Sequence, residues 1–446
     1  LAAVTVAKIH QSLGDTDAAE ASARRAFELA DRLPLAIRFD VEGGYYGTRW
    51  ATNGRAIETY DLAVKAYPAN DRWRNNLARR YAFFERYDDA LREIDVVLES
   101  ETKFWGDVQA AANAHAALGN FETGHRLLAA QVTERPDHWF LRFSLAWHLT
   151  EWGRLDDAAE QLDQLSALRS GVVQEPYGRW RWAVLAEDWA EADAQAARLL
   201  TMDGTFARWR GHVSAARNAL YRGDTLRARE HFEAAIEATS GADRGLMRCF
   251  LAELYLAIDD PDAALEQAAA ARVDGLGQWP ELRAFALAAL AEQALGRSSE
   301  VDAHVAVLRE RWRRQPNPVE ERQLHWVEGS LALDRGDRDA ATAALGRAAA
   351  LLPPRGVEFS WHVYPDHVPV WVALGEALLA ADQPADASTW LDRAMASGAE
   401  HLEQPLAYVR AFELASLAAE RQSDPRTASR HRARFESFWP NGSLTP

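Results

Sequence analysis

A pattern of small and apolar residues returns every 34 residues through the first half of the chain, and it constrains the fold more than any other feature. Ala56, Tyr60, Ala63 and Pro68 form the complete pattern. The small residue that opens each copy recurs at a fixed interval, at Ala56, Ala90, Gly124, Ala158 and Ala192. One helical pair cannot bury its apolar face alone, so a repeat of this length predicts stacked helix pairs that form a solenoid.

The period and the order of small and large residues resemble those of tetratricopeptide repeats. In that family each unit is two antiparallel helices that cross closely at small residues. The resemblance therefore implies that Ala78 lies against Ala90, Ala112 against Gly124, and Ala146 against Ala158. We expect an all-α chain, a right-handed superhelical solenoid of about twelve tetratricopeptide-like repeats, in which each pair contacts its neighbours.

The spacing divides the chain into two predicted regions. Residues 1–240 hold regular repeats, and residues 241–440 hold longer, more divergent repeats. Beyond residue 200 the interval grows to between 36 and 46 residues, and we expect the extra residues in loops, chiefly at 311–320 and 352–369. Long loops on a regular scaffold often carry function. Residues 441–446 are predicted to form a flexible tail.

Composition narrows the classes of partner. The chain has 66 acidic and 50 basic residues and a net charge of −16, which argues against a nucleic-acid binder because such binding needs Lys and Arg to displace counterions. No apolar run has the length of a membrane-spanning helix. Cys249 is the only cysteine, so an internal disulfide is excluded.

The concave face is the strongest candidate for a binding surface. In the family that this chain resembles, the first helix of each pair lines the inner groove. Transferring that geometry selects Tyr45, Arg72, Asn75, Arg79, Gln109, Asn113, Phe143, Trp147, Tyr177, Arg181, Arg210 and Arg217. Arg and aromatic residues are enriched in binding hot spots, and Arg pairs with carboxylates. We hypothesise a groove for a protein or peptide partner that carries acidic and apolar side chains. The alternative is that the aromatic residues are core and the Arg residues solvated.

Catalytic motifs are missing from the sequence. It contains no phosphate-binding loop, no His-Glu-x-x-His helix, no nucleophile elbow and no kinase signature. We therefore predict a non-enzymatic protein without a cofactor. One alternative is an enzyme or metal-binding protein that uses the 352–369 loop, where His362, Asp366 and His367 are residue types that suit zinc. The glycine-rich stretch 43–47 is a second candidate for an enzymatic site, although close helix packing is the favoured interpretation. An oligomerisation scaffold is the third hypothesis, with the Trp-rich stretch 139–209 as an exposed patch.

The order of several further segments resembles the C-terminal repeat region of bacterial signalling proteins. These segments are residues 26–33, 60–68, 75–78, 188–192 and 434–439. In such proteins a Ser/Thr kinase or a winged-helix regulator precedes the repeats. The resemblance implies a sensor or docking region in the bacterial cytoplasm, or in the periplasm if a membrane anchor lies upstream. Because the chain begins at Leu1 within a helical pattern, we expect that it is cut from a longer protein.

Overall fold

The computed structural model describes residues 16–100, 104–358 and 364–440. These residues form 23 α-helices and three short 3-10 helices, and they contain no β-strand. The helices are α1 (Thr16–Glu28), α2 (Leu35–Tyr46), α3 (Asn53–Ala66), α4 (Asp71–Phe83), α5 (Tyr87–Leu98), α6 (Trp105–Ala117), α7 (Phe121–Glu134), α8 (Trp139–Trp152), α9 (Leu155–Leu168), α10 (Gln174–Leu185), α11 (Trp189–Thr201), α12 (Thr205–Tyr221), α13 (Thr225–Glu237), α14 (Gly241–Ala257), α15 (Pro261–Asp274), α16 (Trp279–Ala294), α17 (Ser298–Arg314), α18 (Pro318–Asp334), α19 (Arg338–Ala350), α20 (His367–Ala380), α21 (Pro384–Met395), α22 (Pro405–Arg421) and α23 (Pro425–Phe438). The predicted all-α solenoid is confirmed: the even-numbered helices are the first members of eleven successive pairs, and α1 precedes them.

Close crossing of small residues holds each pair together. Ala56, Ala158 and Ala192 are fully buried. A Cβ atom at Gly124 would lie 2.8 Å from the carbonyl oxygen of Ala112, a distance that real Cβ atoms do not adopt. The predicted contact between Ala112 and Gly124 is therefore present, and it sets the distance between α6 and α7.

Each turn from the first to the second helix of a pair, from α4 onward, contains one residue with positive φ. Glycine occupies several of these positions, such as Gly153 with φ of 81° and Gly336 with φ of 76°. Non-glycine residues occupy the others, among them Glu85 and Glu187 with φ of 56° and 55°. The left-handed conformation is unfavourable for a residue with a side chain. At the turns with a non-glycine residue, the fold therefore imposes the backbone conformation on that residue.

The extra length beyond residue 200 lies mainly in helices. First helices α2, α4, α6, α8 and α10 have 12 to 14 residues, whereas α12, α14, α16, α18 and α22 have 16 or 17. Longer helices satisfy the backbone hydrogen bonds of the added residues within the helix. Accordingly the connection expected at 311–320 is only residues 315–317.

The longest irregular connection between helices runs from residue 351 to residue 366, close to the predicted 352–369 loop. Its central residues, 359–363, and the predicted tail at 441–446 lie outside the described residues. The other helices of the second half follow one another through shorter connections.

Pairs that are far apart in sequence meet across the inner face. The Trp50 indole nitrogen donates to Glu320 at 2.7 Å, and the Trp50 ring lies 5.1 Å from that of Trp279. Nearby, the backbone nitrogen of Ala51 donates to the carbonyl oxygen of Gly277 at 3.0 Å. The solenoid therefore closes on itself, and its inner face contains contacts that adjacent repeats alone would not make.

Candidate functional site

The structure separates the twelve predicted groove residues into two groups. The first group is exposed or half-buried, and we call it the open face: Tyr45, Arg72, Asn75, Arg79, Gln109 and Asn113. The second group is buried apart from the half-buried Trp147, and we call it the filled face: Phe143, Trp147, Tyr177, Arg181, Arg210 and Arg217. Residues from later in the chain cover the filled face.

Arg181 lies in the middle of the filled face, on α10. Only 2 % of its surface is exposed, although guanidinium groups are almost never buried without a partner. Its Nη1 donates to Oε2 of Glu358 at 2.7 Å, and its guanidinium lies 3.7 Å from the centre of the Trp147 ring. A carboxylate and an aromatic face therefore replace the water that this cation loses.

Arg210, on α12, has a second set of partners. Its Nη1 donates to the hydroxyl oxygen of Tyr177 at 2.9 Å and to that of Tyr364 at 3.4 Å. Its Nη2 lies 3.8 Å from Oε1 of Glu358, so this one carboxylate lies between Arg210 and Arg181.

Arg217 lies two turns further along α12 and forms an ion pair with Glu403, in the connection between α21 and α22. Its guanidinium stands 5.3 Å from the ring centre of Tyr364 and 4.9 Å from that of Phe250. Glu403 and Tyr364 both come from the last third of the chain, so α12 is enclosed by distant segments.

Glu151 completes the charged cluster from α8. It accepts a hydrogen bond from the Trp147 indole nitrogen at 2.8 Å and one from the Glu358 backbone nitrogen at 3.3 Å. Arg181 is 3.5 Å away. Burial outweighs these favourable contacts and raises the pKa of Glu151 to about 7. Burial also raises the pKa of Glu358, so these two carboxylates hold protons more readily than exposed carboxylates do.

The segment that covers the filled face is fixed at both of its described ends. The Arg355 backbone nitrogen donates to the carbonyl oxygen of Ala117 at 3.0 Å, and the Arg355 side chain pairs with Glu400 at 2.7 Å. At the other end Asp366 lies 3.2 Å from Arg322, which also pairs with Glu85. The segment is therefore tied to both early and late repeats.

The open face has a different electrostatic environment. Arg72 pairs with Asp40, and Asn75 donates to Asp107. Arg79 lies one turn after Asn75 on α4 and interacts electrostatically with Asp107. Within the described part of the chain, no carboxylate forms an ion pair with Arg79. Arg79 is an exposed residue without an ion pair among the described residues, so it retains the capacity to bind a carboxylate from outside the chain.

The acidic residues of the cluster were not among the predicted site residues. Glu151, Glu358 and Glu403 have no shared spacing, and each reaches the filled face from a different part of the chain. The length of the 352–369 loop was the only sequence signal that marked any of them. The Arg residues on the first helices were easier to find, because the repeat period places them on one side.

The predicted metal cluster is only partly described. His362 lies outside the described residues. Nε2 of His367 lies 2.9 Å from the carbonyl oxygen of Pro353, and Asp366 accepts hydrogen bonds from Arg322. Across the described ranges, no group of three or more His, Cys, Asp or Glu side chains is placed to hold a metal ion.

The other singled-out stretches contribute to packing. A Cβ atom at Gly43 would lie 2.6 Å from the Tyr60 ring, so the glycine-rich stretch allows α2 to approach α3. Trp180 and Trp209 are buried, and the other Trp residues of the 139–209 stretch are half-buried. No helix among the described residues combines the length and apolar character needed to span a membrane.

Comparison with known proteins gives one sequence match. Residues 2–32 match the family model described as Tetratricopeptide repeat. The start of the chain is therefore similar to a tetratricopeptide repeat. No curated protein matches the chain. A tetratricopeptide repeat protein from Parabacteroides merdae is a structural neighbour at 16% identity and a TM-score of 0.41, and the match covers 60% of this chain and 96% of that one.

Two further structural neighbours cover nearly the whole chain. One is the APC/C hetero-tetramer Cut9-Hcn1, with 13% identity, a TM-score of 0.44, and coverage of 98% of this chain and 87% of that one. The other is Yeast Tom70, with 12% identity, a TM-score of 0.37, and coverage of 93% and 92%. Among the described residues, successive helix pairs run from α2 to α23.

Proposed function

We propose that this chain is a protein-interaction scaffold whose concave face binds an extended segment rich in carboxylate and apolar side chains. One observation carries the proposal: the chain's own Glu358 and Tyr364 occupy the filled face in this way. Glu358 lies between Arg181 and Arg210, and the Tyr364 hydroxyl accepts from Arg210. Arg and Tyr residues also line the open face, where no segment among the described residues covers them as Glu358 and Tyr364 cover the filled face.

The open face would take the carboxylate of a partner at Arg79. Arg79 is an exposed residue, although partial desolvation of its guanidinium lowers its pKa, and charge-assisted hydrogen bonds from Arg to carboxylate are among the stronger polar contacts. Gln109 and Asn113, one turn apart on α6, would bind the partner backbone through their amides. Tyr45, which stacks on Phe27 at 4.4 Å, would supply an apolar contact.

Selection from a library of short random peptides on the immobilised chain tests this proposal without a known partner. We expect the retained peptides to be enriched in Asp, Glu and apolar residues and depleted in Lys and Arg. Replacing Arg79 by Glu reverses the charge at the open face, and we expect it to weaken binding of a retained peptide by roughly tenfold or more, which corresponds to about 1.4 kcal/mol.

Arg126→Glu provides the matched control. Arg126 is exposed on a second helix, α7, and makes only a local hydrogen bond to Thr123. This control introduces the same charge change outside the open face, so we expect full binding. Equal loss of binding in both variants, or a retained pool rich in Lys and Arg, would refute the groove assignment.

We further infer that the chain serves as the docking region of a larger bacterial signalling protein in the cytoplasm. The order of the segments at 26–33, 60–68, 75–78, 188–192 and 434–439 supports this inference. Immunodetection in the source cells tests it: we expect a polypeptide longer than 446 residues in the cytoplasmic fraction. A native product of this length, or one in a different fraction, would contradict it.

A further inference from the structure

Two histidines of neighbouring helices turn the same ring nitrogen toward each other. His212 lies on α12 and His231 on α13, and their Nδ1 atoms are 3.2 Å apart. The ring centres are 5.5 Å apart with an angle of 45° between the planes. Both side chains are half-buried, so solvent still reaches the pair.

Other repeats have a different pair of residues at this position. Arg74 donates to Glu93 at 2.8 Å, Arg142 to Gln161 at 3.3 Å, and Arg248 to Gln267 at 3.0 Å. Each of these pairs joins the first and second helix of one repeat and spans 19 residues, as His212 and His231 do. The fold therefore does not need histidine here, because an Arg donor and a carboxylate or amide acceptor connect the helices equally well.

The separation of the two nitrogens suits a shared metal ion. Two nitrogen ligands of a tetrahedral zinc ion stand about 3.3 Å apart when each Zn–N bond is about 2.0 Å. A direct hydrogen bond between the rings would use the proton of one imidazole and the lone pair of the other, whereas a metal ion would use both lone pairs. Imidazole is a preferred ligand of zinc and copper ions.

The charges around the pair are mixed. Arg208 acts on His212, and Arg227 acts on His231, and both disfavour a cation. Glu230 and Asp193 act on His231 in the opposite direction. Asp193 is itself paired with Arg222 at 2.8 Å. The surrounding charges therefore do not attract cations overall, so the affinity for a metal ion must come from its bonds to the two imidazoles.

We propose that His212 and His231 bind one divalent transition-metal ion, Cu²⁺ or Zn²⁺, through their Nδ1 atoms, with water completing the coordination shell. This site is separate from both the open face and the filled face, and it does not depend on peptide binding. Because Cu²⁺ forms stronger complexes with nitrogen ligands than Zn²⁺ does, we expect Cu²⁺ to bind more tightly.

The site is tested by titrating the full chain with Cu²⁺ and, separately, with Zn²⁺. Binding is measured by calorimetry and, for Cu²⁺, also by electron paramagnetic resonance. We expect a tightest site of one ion per chain, with a copper spectrum that shows nitrogen ligands. The variant His212→Arg with His231→Gln copies the pair that Arg142 and Gln161 form, so it should keep the fold while removing both ligands. We expect it to weaken the tightest site by roughly tenfold or more.

The single variant His231→Gln is a second measurement in case the double variant does not fold. It should also weaken the tightest site, because it removes one of the two imidazole ligands. Melting curves without metal check that each variant has the wild-type fold. The outcome of an adventitious ion only would overturn the proposal. It would be recognised if folded variants bind the ion as tightly as the wild type does, or if the copper spectrum shows no nitrogen ligands.

Discussion

The open face and the filled face lie at matching positions of the repeat, and both contain Arg and aromatic residues, yet their environments differ. Arg72 and Arg79 are exposed on α4, whereas Arg181 and Arg217 are each 2 % exposed or less on α10 and α12. The difference does not come from the repeats themselves. It comes from Glu358, Tyr364 and Glu403, which bring carboxylates and a ring to the filled face.

This comparison shows that a solenoid position does not have one fixed environment. In a solenoid whose repeats contact only their neighbours, each first helix would present its inner side to solvent. Here the chain closes on itself, and the middle repeats acquire partners from the last third of the sequence. The filled face is therefore a stability element, and the open face is where we propose that a partner binds.

The largest expected difference is between a buried and an exposed Arg. Replacing Arg217 by Gln leaves Glu403 buried without its ion pair, so we expect the free energy of unfolding to fall by about 3–5 kcal/mol. Replacing Arg72 by Gln should cost at most about 1 kcal/mol, because its pair with Asp40 is on the surface. Urea denaturation measures both values, and similar losses would remove the distinction between the faces.

A double replacement sharpens the same comparison. Arg217→Met together with Glu403→Leu removes both charges from the interior, and we expect this variant to be more stable than Arg217→Gln alone. If the two variants are equally unstable, the loss comes from altered packing around α12 and not from an isolated charge.

Packing between helices contributes independently of the charged cluster. Ala158 is fully buried where α9 crosses its partner helix, so Ala158→Trp should lower the free energy of unfolding by about 1–3 kcal/mol through overpacking. The urea midpoint should decrease while the helical signal of the native state persists. An unchanged midpoint would mean that this crossing has room that the structure does not show.

The buried charged cluster at the filled face should also make stability depend on pH, through Glu151. The pKa of Glu151 is raised from its ordinary value to about 7 in the folded chain, so the folded state holds a proton that the unfolded state has lost. Its contribution to stability is therefore present at acidic pH and is lost as the pH rises from about 4.5 to about 7, by at most about 1.4 kcal/mol per pH unit.

Comparison with Glu151→Gln isolates this contribution from that of buried histidines such as His401, whose pKa is lowered to about 4 by burial. The stability of the wild type relative to the variant should decline across that pH range. An identical pH profile for the two proteins would show that Glu151 titrates as an exposed carboxyl does.

The smallest expected effect concerns two adjacent glycines beside the open face. A Cβ atom at Gly44 would have no other atom within 4 Å, whereas one at Gly43 would lie 2.6 Å from the Tyr60 ring. Gly44→Ala should therefore raise the free energy of unfolding by about 0.5–1 kcal/mol through helix propensity. Gly43→Ala should lower it, and thermal melts of the two variants would detect the opposite signs.

The repeat architecture could be predicted from the sequence alone, because the features that specify it are local. Ala112 and Gly124 lie on consecutive helices, and a crossing of that kind requires small residues wherever the two backbones meet. The same local reasoning identified which side of each first helix points inward. For example, it predicted that Arg79 and Arg217 both lie on the inner face of the solenoid.

Which of these inward residues reach solvent depends on long-range contacts in the folded chain. Glu358 lies 177 residues after Arg181, and Trp50 meets Glu320 across 270 residues. Contacts at such separations depend on how much the superhelix turns over many repeats, and small differences in each repeat add up along the chain. No local spacing contains that sum, so the partners of the buried Arg residues emerged from the folded solenoid alone.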